Sequence, residues 1–388
     1  MFEPQAGGGD QVVMDLPTDN PNTAVPIPEG GFALLSHTAQ NASLTNAVTA
    51  LSFDPYEELL WSGNTASRVV SFFGTQLDKY TAFISAQTDI RSLLITESMV
   101  LSLTAQRLKA NRRQGIPLFS HSSEHMTDLT CMHRLADAPH TILLGGDQSK
   151  IVQLDLETQK EARIVHLKRK NCLALRSNQK FLFSADSDGN VTLRHLSTID
   201  AIHALQAHQG AIADFDVYGN KLITCGYSPR MGTLTGDRFL MVYDLRTLRS
   251  LPLVPLPIAP SFCRFLPSYS DSRIMVASQA GELIVMDLND QTGQQIPIQL
   301  DTSGFAIFSL DISPSRQCIA FGDQTVTRGA GEKTLVVRGQ NELGKPVKGS
   351  LSTITQIILA LGFIHLFSDR AQPVFNENAW ETEFPDPV

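Results

Sequence analysis

The 388-residue chain has little charge: Asp, Glu, Lys and Arg make up 18 % of it, against 42 % hydrophobic residues. Its formal charge is −8. That balance argues against binding nucleic acid with the whole surface, because phosphate contacts call for an excess of Lys and Arg; it leaves room for a local basic patch. There are five cysteines, Cys131, Cys172, Cys225, Cys263 and Cys318, and no two stand at C-x-x-C spacing, so a zinc site is not expected. Each lies in or beside an apolar run, where a free thiol behaves as a small hydrophobe. The odd count, with no basic-then-apolar leader, points to a reducing compartment and hence to the cytoplasm. The apolar run Ile354–Phe367 contains Gln356 and His365. It falls short of the roughly 18 to 20 residues that a membrane span requires. G-x-S-x-G, a phosphate loop and H-E-x-x-H are all missing, which removes the commonest hydrolase and nucleotide signatures.

What is present is self-similarity. "KIVQL" runs into "DLETQ" after Leu154, "NVTL" into "RHLST" after Leu193, "FLMV" into "YDLRT" after Val242, and "ELIV" into "MDLND" after Val285. Each is a short strand followed by a polar turn, at the spacing of roughly 40 to 50 residues typical of a four-stranded propeller blade. Each has an upstream partner ending in small residues: "ILLGG" at Ile142–Gly146, "FLFSA" at Phe181–Ala185, "LITCG" at Leu222–Gly226 and "IMVAS" at Ile274–Ser278. The intervening "DSDGN" and "QAGE" are hairpin turns in which Gly takes positive φ. In the blade of Tyr243 a long loop, Tyr227–Asp237, replaces the turn. A third, alternating strand precedes each pair, as in "IADFDV" and "IFSLDISP". Counting these starts gives Val48, Ile90, Leu129, Cys172, Ile212, Phe262 and Ile307. The expected fold is therefore all-β: a seven-bladed WD-repeat-type propeller, whose closure removes most exposed sheet edges.

The expected layout is a disordered tail over 1–43, rich in Gly and Pro, a propeller over 44–369, and the start of a linker over 370–388. The last blade is irregular. Its strand Cys318–Asp323 finds its continuation only at "GFIHLFSD", Gly362–Asp369, so 324–361 reads as an insertion, longer than loops of compact domains usually run.

The search for chemistry yields weak candidates. Asp155-Leu156-Glu157 has the D-x-E form of a metal-dependent exonuclease, but Asp155 also sits at the strand-terminal position of the repeat, and a two-metal site needs more carboxylates. Asp186-x-Asp188-Gly189 resembles the start of a calcium loop, yet Ser197 stands where the twelfth-position Glu belongs. Asp214 and Asp216 share one face of a strand and suit loop anchoring. His121 and His125 are four apart in a Ser- and Glu-containing loop. Asn190-Val191-Thr192 matches a glycosylation acceptor but opens a strand. "KANRRQG" at Lys109–Gly115 and "HLKRKN" at His166–Asn171 are basic connections that would suit phosphate or an acidic partner; a solvated hairpin is the simpler reading. No catalytic, cofactor-binding or metal-binding residue is expected, and no cofactor.

Longer strings carry a resemblance. "FDPYEELLWSGN" (Phe53–Asn64), "SFFGTQLDKYTAF" (Ser71–Phe83), "ANRRQGIPLFSH" (Ala110–His121), "DRFLMVYDLR" (Asp237–Arg246) and "RFLPSYS" (Arg264–Ser270) are similar to the N-terminal WD-repeat domain of the catalytic subunit of the poly(A)-specific ribonuclease (deadenylation) complex. The likeness covers about Val48–Asp323 and resumes at Gly362–Pro387. It departs at "NTASRVV", Asn64–Val70, where a turn glycine is missing, and at the insertion. It implies that the propeller continues into a linker that binds an adaptor subunit of pseudokinase type, then an inactive ubiquitin-hydrolase-like domain and a metal-dependent exonuclease domain. It also implies a scaffold role in mRNA deadenylation, contacts with poly(A)-binding protein and the poly(A) ribonucleoprotein made indirectly, and a cytoplasmic, membrane-free setting. No catalytic residue of the family maps onto this chain. The alternative is a generic propeller adaptor of another complex.

Overall fold

A computed structural model describes residues 32–39, 47–73, 77–168, 171–267, 271–289, 298–300, 306–314, 318–323 and 354–360. All its regular elements are strands. Six sheets are built from strands consecutive in sequence, beginning at Val48, Ser92, Leu129, Ala174, Ile212 and Phe262. These starts lie within two residues of those read from the repeat.

Burial explains the order of strands within a sheet. In the first, the inner strand Val48–Phe53 is partly buried, Leu59–Asn64 is buried throughout, Arg68–Phe73 nearly so, and the outermost, Asp78–Ile84, is exposed or half-exposed. A strand covered on both faces by neighbouring sheets reads as a continuous apolar run; one at the rim reads polar. Four of the inner strands carry a register shift in their first residues, between Val48 and Ala50, Leu129 and Cys131, Ile212 and Asp214, and Ile307 and Ser309. A bulge at the same place in these four strands increases their local twist.

The apolar clusters lie between neighbouring sheets. Ala50, Trp61 and Val69 pack with Ile90, Leu93 and Val100. Phe183 and Leu193 pack with Phe215 and Tyr243. Ile223 and Val242 pack with Phe265 and Ile284. The series returns to its start: Leu60, Val70 and Phe72 of the first sheet pack on Ala320, with Cys318 alongside. Each interface is apolar on both sides, so burial drives sheet against sheet around the whole series.

Two of the hairpin turns share one device. In "DSDGN", Asp186 Oδ1 accepts the N–H groups of Asp188 and Asn190, at 3.0 and 2.8 Å, and Gly189 takes φ of 83°. In "NTASR", Asn64 Oδ1 accepts those of Ala66 and Arg68, at 3.0 and 2.9 Å, and Ser67 occupies the left-handed position at φ of 62°. The missing turn glycine is thus replaced by a serine, whose hydroxyl donates to the Thr88 carbonyl. A side chain in this region costs about 1 kcal/mol, and the added hydrogen bond offsets part of it.

Two expectations need correction. Phe32–Ala39, expected within a disordered tail, is a strand; the rest of 1–43 lies outside the described residues. Ile354–Ala360, expected within an insertion, is also a strand, and it pairs antiparallel with both Cys318–Asp323 and Phe32–Ala39. The order of this further sheet is Phe32–Ala39, Ile354–Ala360, Cys318–Asp323, Ile307–Ile312. "ITQIILA" is rich in β-branched residues, which suit a strand, and its register takes the edge that Gly362–Asp369 was expected to fill. Gly362–Asp369 and the 370–388 segment lie outside the described residues.

Candidate functional site

The sequence candidates go to structural posts. Asp155 Oδ1 accepts the Glu157 N–H at 2.9 Å and Oδ2 the Thr158 hydroxyl at 3.0 Å. These bonds close a turn, and they lower the carboxyl below its ordinary value. Asp186 holds its hairpin as described, and Asn190, 1 % exposed, donates its amide back to Asp186; it is not placed as a surface glycosylation acceptor. His121 lies 3.5 Å from Glu161, while His125 faces Lys150 and Glu124. No group of three or more His, Cys, Asp or Glu among the described residues could hold a metal ion.

The basic segment Lys109–Gly115 divides. Arg112 is exposed, but Arg113 is buried. Arg113 Nη1 and Nη2 reach Asp54 at 2.6 and 3.0 Å, Nε and Nη2 donate to the carbonyls of Glu97 and Thr96, and Nη1 lies 3.0 Å from Glu57. Asp54 also accepts the Trp61 indole N–H at 3.0 Å. A forked, two-pronged pair of this kind fixes orientation as well as charge, so Arg113 clamps the second sheet to the first rather than serving phosphate. Of His166–Asn171, 169 and 170 lie outside the described residues; Asn171 bridges Asp147 and Ser187 at 2.7 and 3.0 Å.

Asp214 and Asp216 anchor the inner wall. Asp216 Oδ2 accepts the Phe265 N–H at 2.9 Å, Asp214 Oδ2 accepts the Cys263 N–H at 3.2 Å and pairs with Arg264, and Arg176 lies 3.3 Å from Asp214. Burial alone would lower Arg264, but Asp214 and Asp216 outweigh it and hold the guanidinium charged. His133, on the inner strand Leu129–Arg134, contacts the Ser177 hydroxyl at 2.8 Å. Burial, then Arg176 and Arg134, push its pKa down to about 4.

One cluster escaped sequence reasoning. His208 Nδ1 lies 2.7 Å from Asp237 Oδ2, and its Nε2 lies 3.1 Å from the Thr224 hydroxyl. Ser228 donates to the same Asp237 oxygen at 2.9 Å. The His208 ring stacks on Phe239 at 5.5 Å. An Asp–His–hydroxyl chain has the connectivity of a nucleophile triad, but Thr224 is buried and does not line the cavity that opens beside Phe239. No substrate carbonyl could reach that hydroxyl, so the chain acts as an internal strut. It ties the turn before the fifth sheet to strands Lys221–Arg230 and Phe239–Asp244. The signal available was the Ala207-His208-Gln209-Gly210 turn; its partners, 16 and 29 residues on, have no local mark.

The expected loop Tyr227–Asp237 is a hairpin extension. Lys221–Arg230 continues past the sheet and pairs with Thr233–Gly236, turning at Met231 and Gly232 with φ of 50° and 82°. Met231 and Leu234 stand exposed on it. Beside its base opens a cavity of about 480 Å³, lined by Gln206, Arg230, Asp237, Phe239, Met241 and Leu253 among others. A more polar cavity of about 770 Å³ lies where Thr88, Asp89, Gln106, Arg107, Ser123 and Thr127 meet.

A family model described as PAN2 N-terminal matches residues 29–328. The PAN2-PAN3 deadenylation complex catalytic subunit PAN2 of Gallus gallus is 32 % identical over 365 residues, which are 94 % of this chain and 27 % of that protein. The PolyA-specific ribonuclease subunit panl-2 of Caenorhabditis elegans is 32 % identical over 355 residues, 89 % of this chain and 29 % of that protein. The chain therefore spans little more than a quarter of the length of these relatives. Among solved structures, the Neurospora crassa Pan2 WD40 domain superposes with a TM-score of 0.70 at 21 % identity, covering 85 % of this chain and 95 % of that one. That likeness supports a WD40-type propeller fold.

Proposed function

Because the chain belongs to the PAN2 N-terminal family, we propose that it is the propeller scaffold of a complex that shortens poly(A) tails. In this reading the propeller does no chemistry itself. It holds a pseudokinase-type adaptor subunit and, through partners such as poly(A)-binding protein, the poly(A) ribonucleoprotein, in the cytoplasm. We infer that the poly(A)-specific exonuclease activity resides outside the N-terminal segment of the relatives that this chain matches.

The observation that carries the reading is the family match over 29–328, joined to the way the polar side chains are spent. Asp54, Asp155, Asp186, Asp214, Asp216 and Asp237 all hold turns or bind sheet to sheet. We read the sheet that ends in Ile307–Ile312 as the seventh blade and the ring as closed. The packing of Ala320 on the first sheet and the Phe53 N–H bond to Asp311 support this. A closed ring is rigid and free of long edges, which suits a platform with several partners.

The test is co-precipitation of this chain with the PAN3-type subunit, alongside a poly(A) degradation assay with magnesium. Capture of the subunit without trimming is expected. Trimming by the purified chain, or no capture by this chain nor by a version extended at its C-terminus, overturns the proposal.

A further inference from the structure

The cavity between the fourth and fifth sheets contains an incomplete hydrogen-bond set. Asp237 is 0 % exposed and lines the cavity. Its Oδ2 is taken by His208 and Ser228, yet its Oδ1 is, among the described residues, the one buried side-chain polar atom with no hydrogen-bond partner. A buried acceptor left bare is costly, and more so when it carries charge. The nearby cation is Arg230, whose Nη2 stops 4.0 Å away. That is beyond hydrogen-bond range. Its side chain, on the hairpin extension, is 60 % exposed.

We propose that this cavity receives a cationic side chain, the ammonium of a lysine or the guanidinium of an arginine, carried on an extended segment of a partner protein. The incoming N–H donates to Asp237 Oδ1, and Arg230 gives way outward. The rest of the lining suits such a side chain. Phe239, Met241 and Leu253 offer an apolar wall for its methylene stem. The ring of Phe239, already stacked on His208, offers a π face to the cation. At about 480 Å³ the space far exceeds the roughly 30 Å³ share of one bridging water. Exposed Met231 and Leu234 on the hairpin supply apolar contact for the flanking backbone. The proposal does not depend on the deadenylase reading, and each can fail alone.

The test titrates the full chain with fluorescent pentapeptides, Gly-Gly-X-Gly-Gly, capped at both ends, where X is lysine, arginine, citrulline or norleucine. Lysine and arginine peptides are expected to bind at least about tenfold more tightly than the two neutral ones, as one charge-assisted hydrogen bond predicts. The ratio between the first two identifies the preferred cation. Arg230→Ala, which removes the internal competitor from an exposed position, should tighten binding several-fold. Leu253→Lys, at an exposed wall residue, should place an ammonium in the cavity and abolish binding while the protein still melts cooperatively. Asp237→Asn should also abolish binding; because it disturbs the His208 strut, the other two variants decide the matter if it fails to fold. Equal binding of the neutral peptides, no saturable binding of any peptide up to millimolar concentration, or affinities unmoved by Arg230→Ala and Leu253→Lys would overturn the proposal.

Discussion

At the junction of the fifth and sixth sheets, Asp216 accepts the N–H of Phe265 at 2.9 Å; where Ile307–Ile312 meets Val48–Phe53, Asp311 accepts the N–H of Phe53 at 2.7 Å. The two contacts are the same contact in two repeats. Two residues upstream they diverge. Asp214 accepts the Cys263 N–H and pairs with Arg264, whereas its counterpart Ser309 donates to the Val48 carbonyl at 3.1 Å. Arg264 precedes Phe265 at the first junction; Ser52 precedes Phe53 at the second. The first is charged and neutralised, and the second is nearly neutral with one carboxylate left over. Burial raises the Asp311 carboxyl above its ordinary value, and the Phe53 N–H, Arg264 and Arg176 do not fully offset it. The junction that brings residue 311 to residue 53 relies on backbone hydrogen bonds and the apolar contacts around Ala320.

The sharpest way to break this contrast is Arg264→Ala. It leaves Asp214 and Asp216 buried without their main counterion and should cost about 3–5 kcal/mol in denaturant unfolding. A loss below about 1 kcal/mol would show that the network is solvated and the contrast empty. A pH series comes next, since His133 and Asp311 have opposite signs. The His133 pKa is lowered, from 6.5 to about 4. Its contribution is therefore complete above the unfolded value and lost as pH falls through 6.5 towards 4, at most about 3 kcal/mol. His133→Gln should flatten that limb. The Asp311 pKa is raised, so its stabilising influence is greatest when protonated and declines as pH climbs above the ordinary carboxylate value. The wild type should lose ground to Asp311→Asn over that interval, and an opposite slope would refute the assignment.

A double-mutant cycle sharpens the comparison further. Ser309→Asp alone should destabilise the junction of Ile307–Ile312 with Val48–Phe53, because it buries an unpaired carboxylate. Adding Ser52→Arg, to reproduce the fifth–sixth arrangement, should recover about 1–3 kcal/mol as a coupling term. Strict additivity would mean that the two junctions are not equivalent in geometry. The smallest effect expected is that of Asp311→Asn at neutral pH, within about 1 kcal/mol of wild type, because the amide oxygen still accepts from Phe53. Asp311→Ala should cost about 1–3 kcal/mol and speed hydrogen exchange at the Phe53 amide.

The repeat was legible because a blade is a local object. Alternation in "IFSLDISP", small residues at the end of "ILLGG" and Gly in "DSDGN" all act within a few residues, and strand starts followed from them to within two positions. Ser67 escaped because any polar residue able to tolerate positive φ can stand in for a turn glycine if its side chain finds a carbonyl, here that of Thr88. Arg113 was read as one of several solvated cations; only the approach of Asp54 from another sheet makes it a clamp. The His208–Asp237–Thr224 strut escaped for the same reason. Its members meet through strand register, and nothing at His208 alone announces them.

The sequence by itself determined that the chain is an all-β repeat with apolar strands too short for anything but sheets stacked on one another, because period-two patterning and turn chemistry are set residue by residue. The tertiary structure alone decided which carboxylates are neutralised, which arginine is buried, that Phe32–Ala39 pairs with Ile354–Ala360 across more than 300 residues, and that Asp237 keeps one oxygen bare. Those outcomes depend on distances between groups remote in sequence. Coulomb and hydrogen-bond energies act only once packing has brought the groups together.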